Sequence, residues 1–275
     1  MTLSTAAGPV SKRIRFGWVV EAAAIVIIMI VHDLLRNLVT GGRAESLQRA
    51  RDFTSFERRI GIYWEWDVQH FFLHSNFLVA FWNVYYQWAH FIVPAITAIY
   101  LYRKFPSRYV RWRNVFLVML FATGLLGWAV FPVTPPKYMP HGNGVPADER
   151  FIDTQVNYFN IGTQRPIEYG SDGEPTPASI VALGNTYSGM PSHHVSWAFW
   201  CVCALWPVIR RRWVRGLLVL HVLLTIGAIT VTGNHRFVDI AGSALEVALA
   251  FGVVVLGERL RAWYHTRRST ELAVT

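Results

Sequence analysis

Residues 214–257 read VRGLLVLHVLLTIGAITVTGNHRFVDIAGSALEVALAFGVVVLG. Two apolar runs, 214–232 and 238–257, flank a short polar turn that carries Asn234, His235 and Arg236. About 20 mainly apolar residues are enough to cross a bilayer as a helix. The stretch therefore predicts two membrane spans joined by a tight turn. Four more runs of this kind lie upstream, at 16–38, 82–103, 114–132 and 193–210. The first is interrupted by Glu21, Asp33 and Arg36, and ionisable groups within a span turn toward the bundle interior. The pattern predicts an all-α fold, a six-transmembrane-helix bundle forming one integral membrane domain over residues 1–275.

Composition agrees. Of 275 residues, 53% are hydrophobic and only 16% charged, with 12 Trp and a mean hydropathy of +0.28, which suits a chain that uses the bilayer as solvent. A net charge of +9 raises nucleic acid as a partner. The basic residues, however, stand in short clusters beside the apolar runs, as in cytoplasmic loops, and no nucleic-acid partner is expected. Cys201 and Cys203 sit inside an apolar run as packing residues.

Orientation follows from the same clusters. Lys12, Arg13 and Arg15 precede the first span; Arg103, Lys104, Arg108, Arg111 and Arg113 join the second to the third. Arg210, Arg211, Arg212 and Arg215 join the fourth to the fifth, and Arg259, Arg261, Arg267 and Arg268 follow the sixth. With six spans all four clusters fall on one side, so residues 1–15 and the tail 258–275 are expected in the cytoplasm of a multi-pass plasma-membrane protein. Arg43, Arg49, Arg51, Arg58 and Arg59 run against this rule. They belong to the segment 40–80, whose apolar residues recur every three or four positions among charges, the pattern of amphipathic helices lying in the interface. Tyr63, Trp64 and Trp66 suit the headgroup belt. The long loop 133–192 and the turn around 233–236 are left on the outer side.

Chemistry collects at that face. In MPSHHVSWAFW, His194 opens the fourth span, and in VTGNHRFVDIAGS, Asp239 follows His235 by four residues and shares its helix face. Lys137, in FPVTPPKYMP, lies just beyond the third span. An imidazole serves as nucleophile or acid near neutral pH, and a carboxylate partner fixes its tautomer. Cations and N–H donors at a helix start offset negative charge, and the set suits chemistry on a group held at the lipid–water boundary.

These two motifs together resemble the second and third signatures of the type 2 phosphatidic acid phosphatase superfamily, and more closely its inositol phosphorylceramide synthase-like branch, over residues 55–257. The resemblance implies a six-helix membrane bundle. It also implies that His235 is a nucleophile forming a phosphohistidine, that Asp239 orients it, and that His194 protonates the leaving oxygen. Lys137 and Ser192 then meet the phosphate, and no metal or other cofactor is needed. Two departures stand out. The family's Arg-Pro after the first-motif Lys is replaced by Gly144 and Val145, and its Ser-Arg before the nucleophile by Ala228 and Ile229. Arg236 is the expected substitute cation, with Arg165 or Arg150 behind it.

The expected activity is cleavage of a phospholipid or polyprenyl phosphate ester at the outer leaflet, within membrane lipids. Transfer of an inositol-phosphate-type headgroup to a lipid alcohol is the alternative, favoured by the missing arginines. Two other classes remain: a zinc hydrolase using His193, His194, His235 and Asp239, and a non-catalytic lipid transporter or binding protein. His193 is expected to face headgroups or water.

Overall fold

A computed structural model describes residues 17–38, 43–121, 131–139, 151–157 and 190–274. Most of loop 133–192, including Arg150, Arg165, Gly144 and Val145, lies outside the described residues. The described part is helical: α1 (Gly17–Leu38), α2 (Arg43–Ile60), α3 (Glu65–Leu73), α4 (Asn76–Lys104), α5 (Pro106–Val118), α6 (His193–Leu205), α7 (Arg212–Val231) and α8 (Val238–Val274). A 3-10 turn, Pro136–Tyr138, and a single helical turn, Thr154–Asn157, complete it.

The core forms where α6 packs against α4, α5, α7 and α8, and α5 against α4 and α8. Leu101, Trp112, Val115, Met119, Trp200 and Cys201 fill it, and the Trp200 indole N–H donates to the Trp112 carbonyl at 2.8 Å. In α1, Glu21 turns to α5, where Arg113 and the Tyr109 hydroxyl reach it at 2.6 and 3.1 Å.

Several boundaries differ from the apolar runs. α5 begins at Pro106, not 114, because proline is preorganised for the first helical position. α6 stops at Leu205, ahead of Pro207, which has no N–H to continue the helical ladder. α8 continues past 257 to Val274, through a charged segment of good helix formers. Among the described residues, only two helices are long and apolar enough to cross a membrane, Arg212–Val231 and Val238–Thr270. α4 has 29 residues, about 43 Å of helix, but Asn83, Gln87, His90 and many Tyr and Trp lower its hydropathy. Its Phe77, Trp88, Ile92 and Ile96 stay largely exposed, as do Leu223 and Leu249 on α7 and α8. Such broad apolar surface marks a membrane-facing or interaction face.

Gly227 sets how closely α7 approaches α4. A Cβ there would lie 2.6 Å from the Trp82 ring, which is wedged among Phe72, Phe81 and Ala228. Gly227→Ala is expected to cost about 1–3 kcal/mol through overpacking, read as a lowered Tm in detergent; an unchanged Tm would show that Trp82 yields without cost.

Candidate active site

The polar turn between α7 and α8 is built by Gly233, whose φ of +66° is a conformation that L side chains rarely adopt. Its N–H donates to the Thr230 carbonyl at 3.0 Å, and its own carbonyl accepts the Lys137 N–H at 3.0 Å. The chain then reverses so that His235 and Asp239 meet across the first turn of α8. His235 Nδ1 lies 3.2 Å from Asp239 Oδ2, which also accepts the Arg236 N–H at 2.9 Å. Asp239 is fully buried. Facing a carboxylate, Nδ1 carries the proton, and the imidazole lone pair is therefore on Nε2.

The start of α6 stands opposite. The His194 and His235 ring centroids are 6.1 Å apart. His194 stacks on Tyr86 at 4.1 Å and lies 4.2 Å from His90, so two α4 side chains hold its ring. His90 is itself fixed, Nδ1 donating to the Tyr86 carbonyl at 2.8 Å. Ser192 is the N-cap of α6 but makes no capping bond with its side chain. Its hydroxyl is buried without a hydrogen-bond partner among the described residues, which is costly unless something else accepts or donates there. The Ser243 hydroxyl, 3.0 Å from the Ser192 carbonyl and 2.8 Å from that of Asp239, ties the two motifs together.

Lys137 reaches the same turn from the 3-10 segment. Its fully buried ammonium lies 3.1 Å from Asp153 Oδ2 and donates to Gln155 Oε1 at 3.0 Å. The Asn234 amide approaches the same Gln155 oxygen at 3.4 Å and donates to Thr232 Oγ1 at 2.8 Å. Arg236 points elsewhere: Nε donates to Thr54 Oγ1 at 3.3 Å and one terminal nitrogen to the Thr134 carbonyl at 2.7 Å.

His193 does not face headgroups or water. It turns into the bundle, its Nε2 3.3 Å from Glu246 Oε1 on α8, while the Ser196 hydroxyl donates to the other oxygen of Glu246. A buried carboxylate needs partners, and that need draws the ring inward. Among the described residues no group of three or more His, Cys, Asp or Glu is placed to hold a metal ion.

Residues absent from the motifs frame the site. The Gln69 amide on α3 donates to the carbonyls of Ile152 and Val231 at 3.0 and 2.9 Å, and its oxygen accepts the Ile152 N–H at 2.8 Å. Glu65 and Glu57 accept the N–H groups of Phe237 and Val238, each at 2.7 Å. A signal for two of them existed: Glu65 and Gln69 are four apart on a face of α3 that otherwise carries Val68 and Phe72.

Residues 51–253 match the family model of the PAP2 superfamily. The chain belongs to that superfamily. Membership makes this superfamily chain a phosphoesterase-type enzyme, on a family pattern of phosphorylated lipid-type substrates. No curated protein and no solved structure matches it.

Proposed function

We propose that the protein is a membrane lipid phosphatase that cleaves a lipid phosphate ester through a phosphohistidine on His235, at the outer face of a six-span bundle. The observation that carries this reading is the buried His235–Asp239 pair set 6.1 Å from the His194 ring. His235 Nε2 attacks phosphorus, and the bond from phosphorus to the lipid oxygen breaks. His194, protonated, gives its proton to that oxygen, and the lipid alcohol leaves. Asp239 stabilises the imidazolium while the P–N bond exists. Water then attacks phosphorus, His194 takes its proton, the P–N bond breaks, and phosphate is released. The Ser192 hydroxyl and the first N–H groups of α6 face the phosphoryl oxygens, and Lys137 supplies a cation that the phosphate shares with Asp153. Arg236, held by Thr54 and Thr134, adds positive field from behind the turn.

The departures favour a second reading, transfer of an inositol-phosphate-type diester to a lipid alcohol. Ala228 and Ile229 are buried in α7, so no guanidinium reaches the site from there, and a singly charged diester needs fewer cations than a monoester dianion. Purified protein offered phosphatidate, a prenyl diphosphate, and phosphatidylinositol with diacylglycerol distinguishes them. Release of inorganic phosphate supports hydrolysis; a new phosphoinositol lipid in excess of free inositol phosphate supports transfer. Turnover of none of them counts against both.

Topology is tested separately. His74 is exposed at the end of α4 nearest the site and Ser107 at the opposite end. With Cys201 and Cys203 replaced by Ala, a membrane-impermeant maleimide is expected to label His74→Cys in intact cells and Ser107→Cys only after permeabilisation. The reverse pattern places the site on the cytoplasmic side.

A further inference from the structure

We propose that Glu57 and Glu65 are positioning residues for His235, two buried carboxyl groups that together clamp the first turn of α8. The inference rests on the reading of His235 as nucleophile.

Three successive backbone N–H groups follow His235, and each donates to a carboxylate. Arg236 N–H meets Asp239 at 2.9 Å, Phe237 N–H meets Glu65 at 2.7 Å, and Val238 N–H meets Glu57 at 2.7 Å. A helix start ordinarily needs a single Ser, Thr, Asp or Asn from its own chain. Here two glutamates arrive from α2 and α3, some 180 and 170 positions earlier in the chain, and both are buried, 0% and 1% exposed. Removing two carboxyl groups from water costs far more than a cap requires. What the arrangement gains is rigidity on both sides of the nucleophile. Gln69 holds the Val231 carbonyl before the turn, Glu65 and Glu57 hold 237 and 238 after it, and Thr54 holds the Arg236 side chain. The interfacial helices thus fix the whole of 231–238.

The second oxygen of each carboxyl group is buried with no hydrogen-bond partner among the described residues, which a neutral carboxyl group tolerates better than a charged one. Burial first, and the neighbouring Glu65 charge second, push Glu57 up to about 8; burial likewise raises Glu65. The charged groups facing the pair are each other and Arg236, whose charge favours ionisation of both. Because the folded protein holds the Glu57 proton more tightly than the unfolded chain, its stabilisation is complete below the ordinary glutamate range. It is lost as pH rises toward about 8. Loss of the Glu57 proton sets a second negative charge beside Glu65 behind the turn, and the clamp loosens.

The test uses full-length purified enzyme and a substrate it turns over. Glu57→Ala removes the acceptor of the Val238 N–H; kcat is expected to fall about 100-fold with little change in KM, the effect of a small misplacement of a reacting group. Glu57→Gln keeps an oxygen for Val238 N–H and presents an N–H to Glu65, fixed in charge. It is expected to recover at least about tenfold of that loss and to move the alkaline fall in kcat upward by about one pH unit or more. Glu65→Gln is the second variant should Glu57→Ala fail to fold, and carries the same expected shift. His235→Ala is run beside them. Native kcat and an unshifted alkaline limb in the glutamate variants, with His235→Ala inactive, overturn the positioning role alone. Activity surviving in His235→Ala overturns the reading of the nucleophile instead.

Discussion

His235→Ala is expected to abolish phosphoester turnover, and Asp239→Asn to leave a folded protein slowed by about 10²–10⁴-fold. The second effect follows from the hydrogen bonds. One oxygen of Asp239 accepts from both His235 Nδ1 and the Arg236 N–H. If the asparagine carbonyl takes the place of that oxygen, its two lone pairs keep both donors and only the negative charge is lost. If the NH2 takes that place it must donate to Nδ1; the proton is then on Nε2, the atom that has to attack, and the buried Arg236 N–H loses its partner. Either way the imidazolium formed during attack has lost its counter-charge. Measured kcat/KM together with Tm separates these outcomes: a rate loss with an unchanged Tm points to the lost charge alone, one with a lowered Tm to the turned amide. An Asp239→Asn enzyme as fast as the native one would remove Asp239 from the mechanism.

The helical class was legible because apolar runs of spanning length announce helices. The pairing of His235 with Asp239 was legible from their spacing of four, although they do not share a helix face: α8 begins at Val238, and the turn before it, with Asp239 accepting the Arg236 N–H, sets His235 against the carboxylate. The meeting of His194 with His235 was legible only through the two motifs taken together, since their separation in the chain exceeds any local rule. What escaped were the polar residues whose partners lie far away. Glu57 looks like the wet face of an amphipathic helix, and Glu65 and Gln69 on their apolar face announce burial without naming a partner, until the turn at 231–238 is laid against them. His193 was misread for a related reason. At a helix start beside polar loop it resembles an interfacial residue, and only the register of α8 shows that Glu246 waits beneath it. The signal was Glu246 itself, an acid inside an apolar run, which a span retains only with a partner. Helix ends drifted where proline, not hydropathy, decides, at Pro106 and Pro207.

The adjacent histidines 193 and 194 should separate cleanly in a leaving-group series. His194→Ala is expected to lose about 10²–10⁴-fold on an alkyl phosphate ester, whose departing oxygen is a strong base and needs a proton as the bond breaks. On an aryl phosphate the leaving oxygen is a weak base and departs unprotonated, so the same variant should be only slightly impaired in forming the phosphohistidine. Geometry supports the assignment: the His194 ring, held between Tyr86 and His90, is the one that faces His235. His193 instead serves Glu246. Its replacement by Ala removes one partner of that buried carboxylate, which the Ser196 hydroxyl also serves, so the penalty should appear in Tm and be the same fraction of rate on both esters. Initial rates of the two variants on one alkyl and one aryl ester, with Tm measured alongside, decide the matter. A His193→Ala enzyme whose loss grows with the basicity of the leaving oxygen, beside a His194→Ala enzyme indifferent to it, would assign the acid to the wrong histidine.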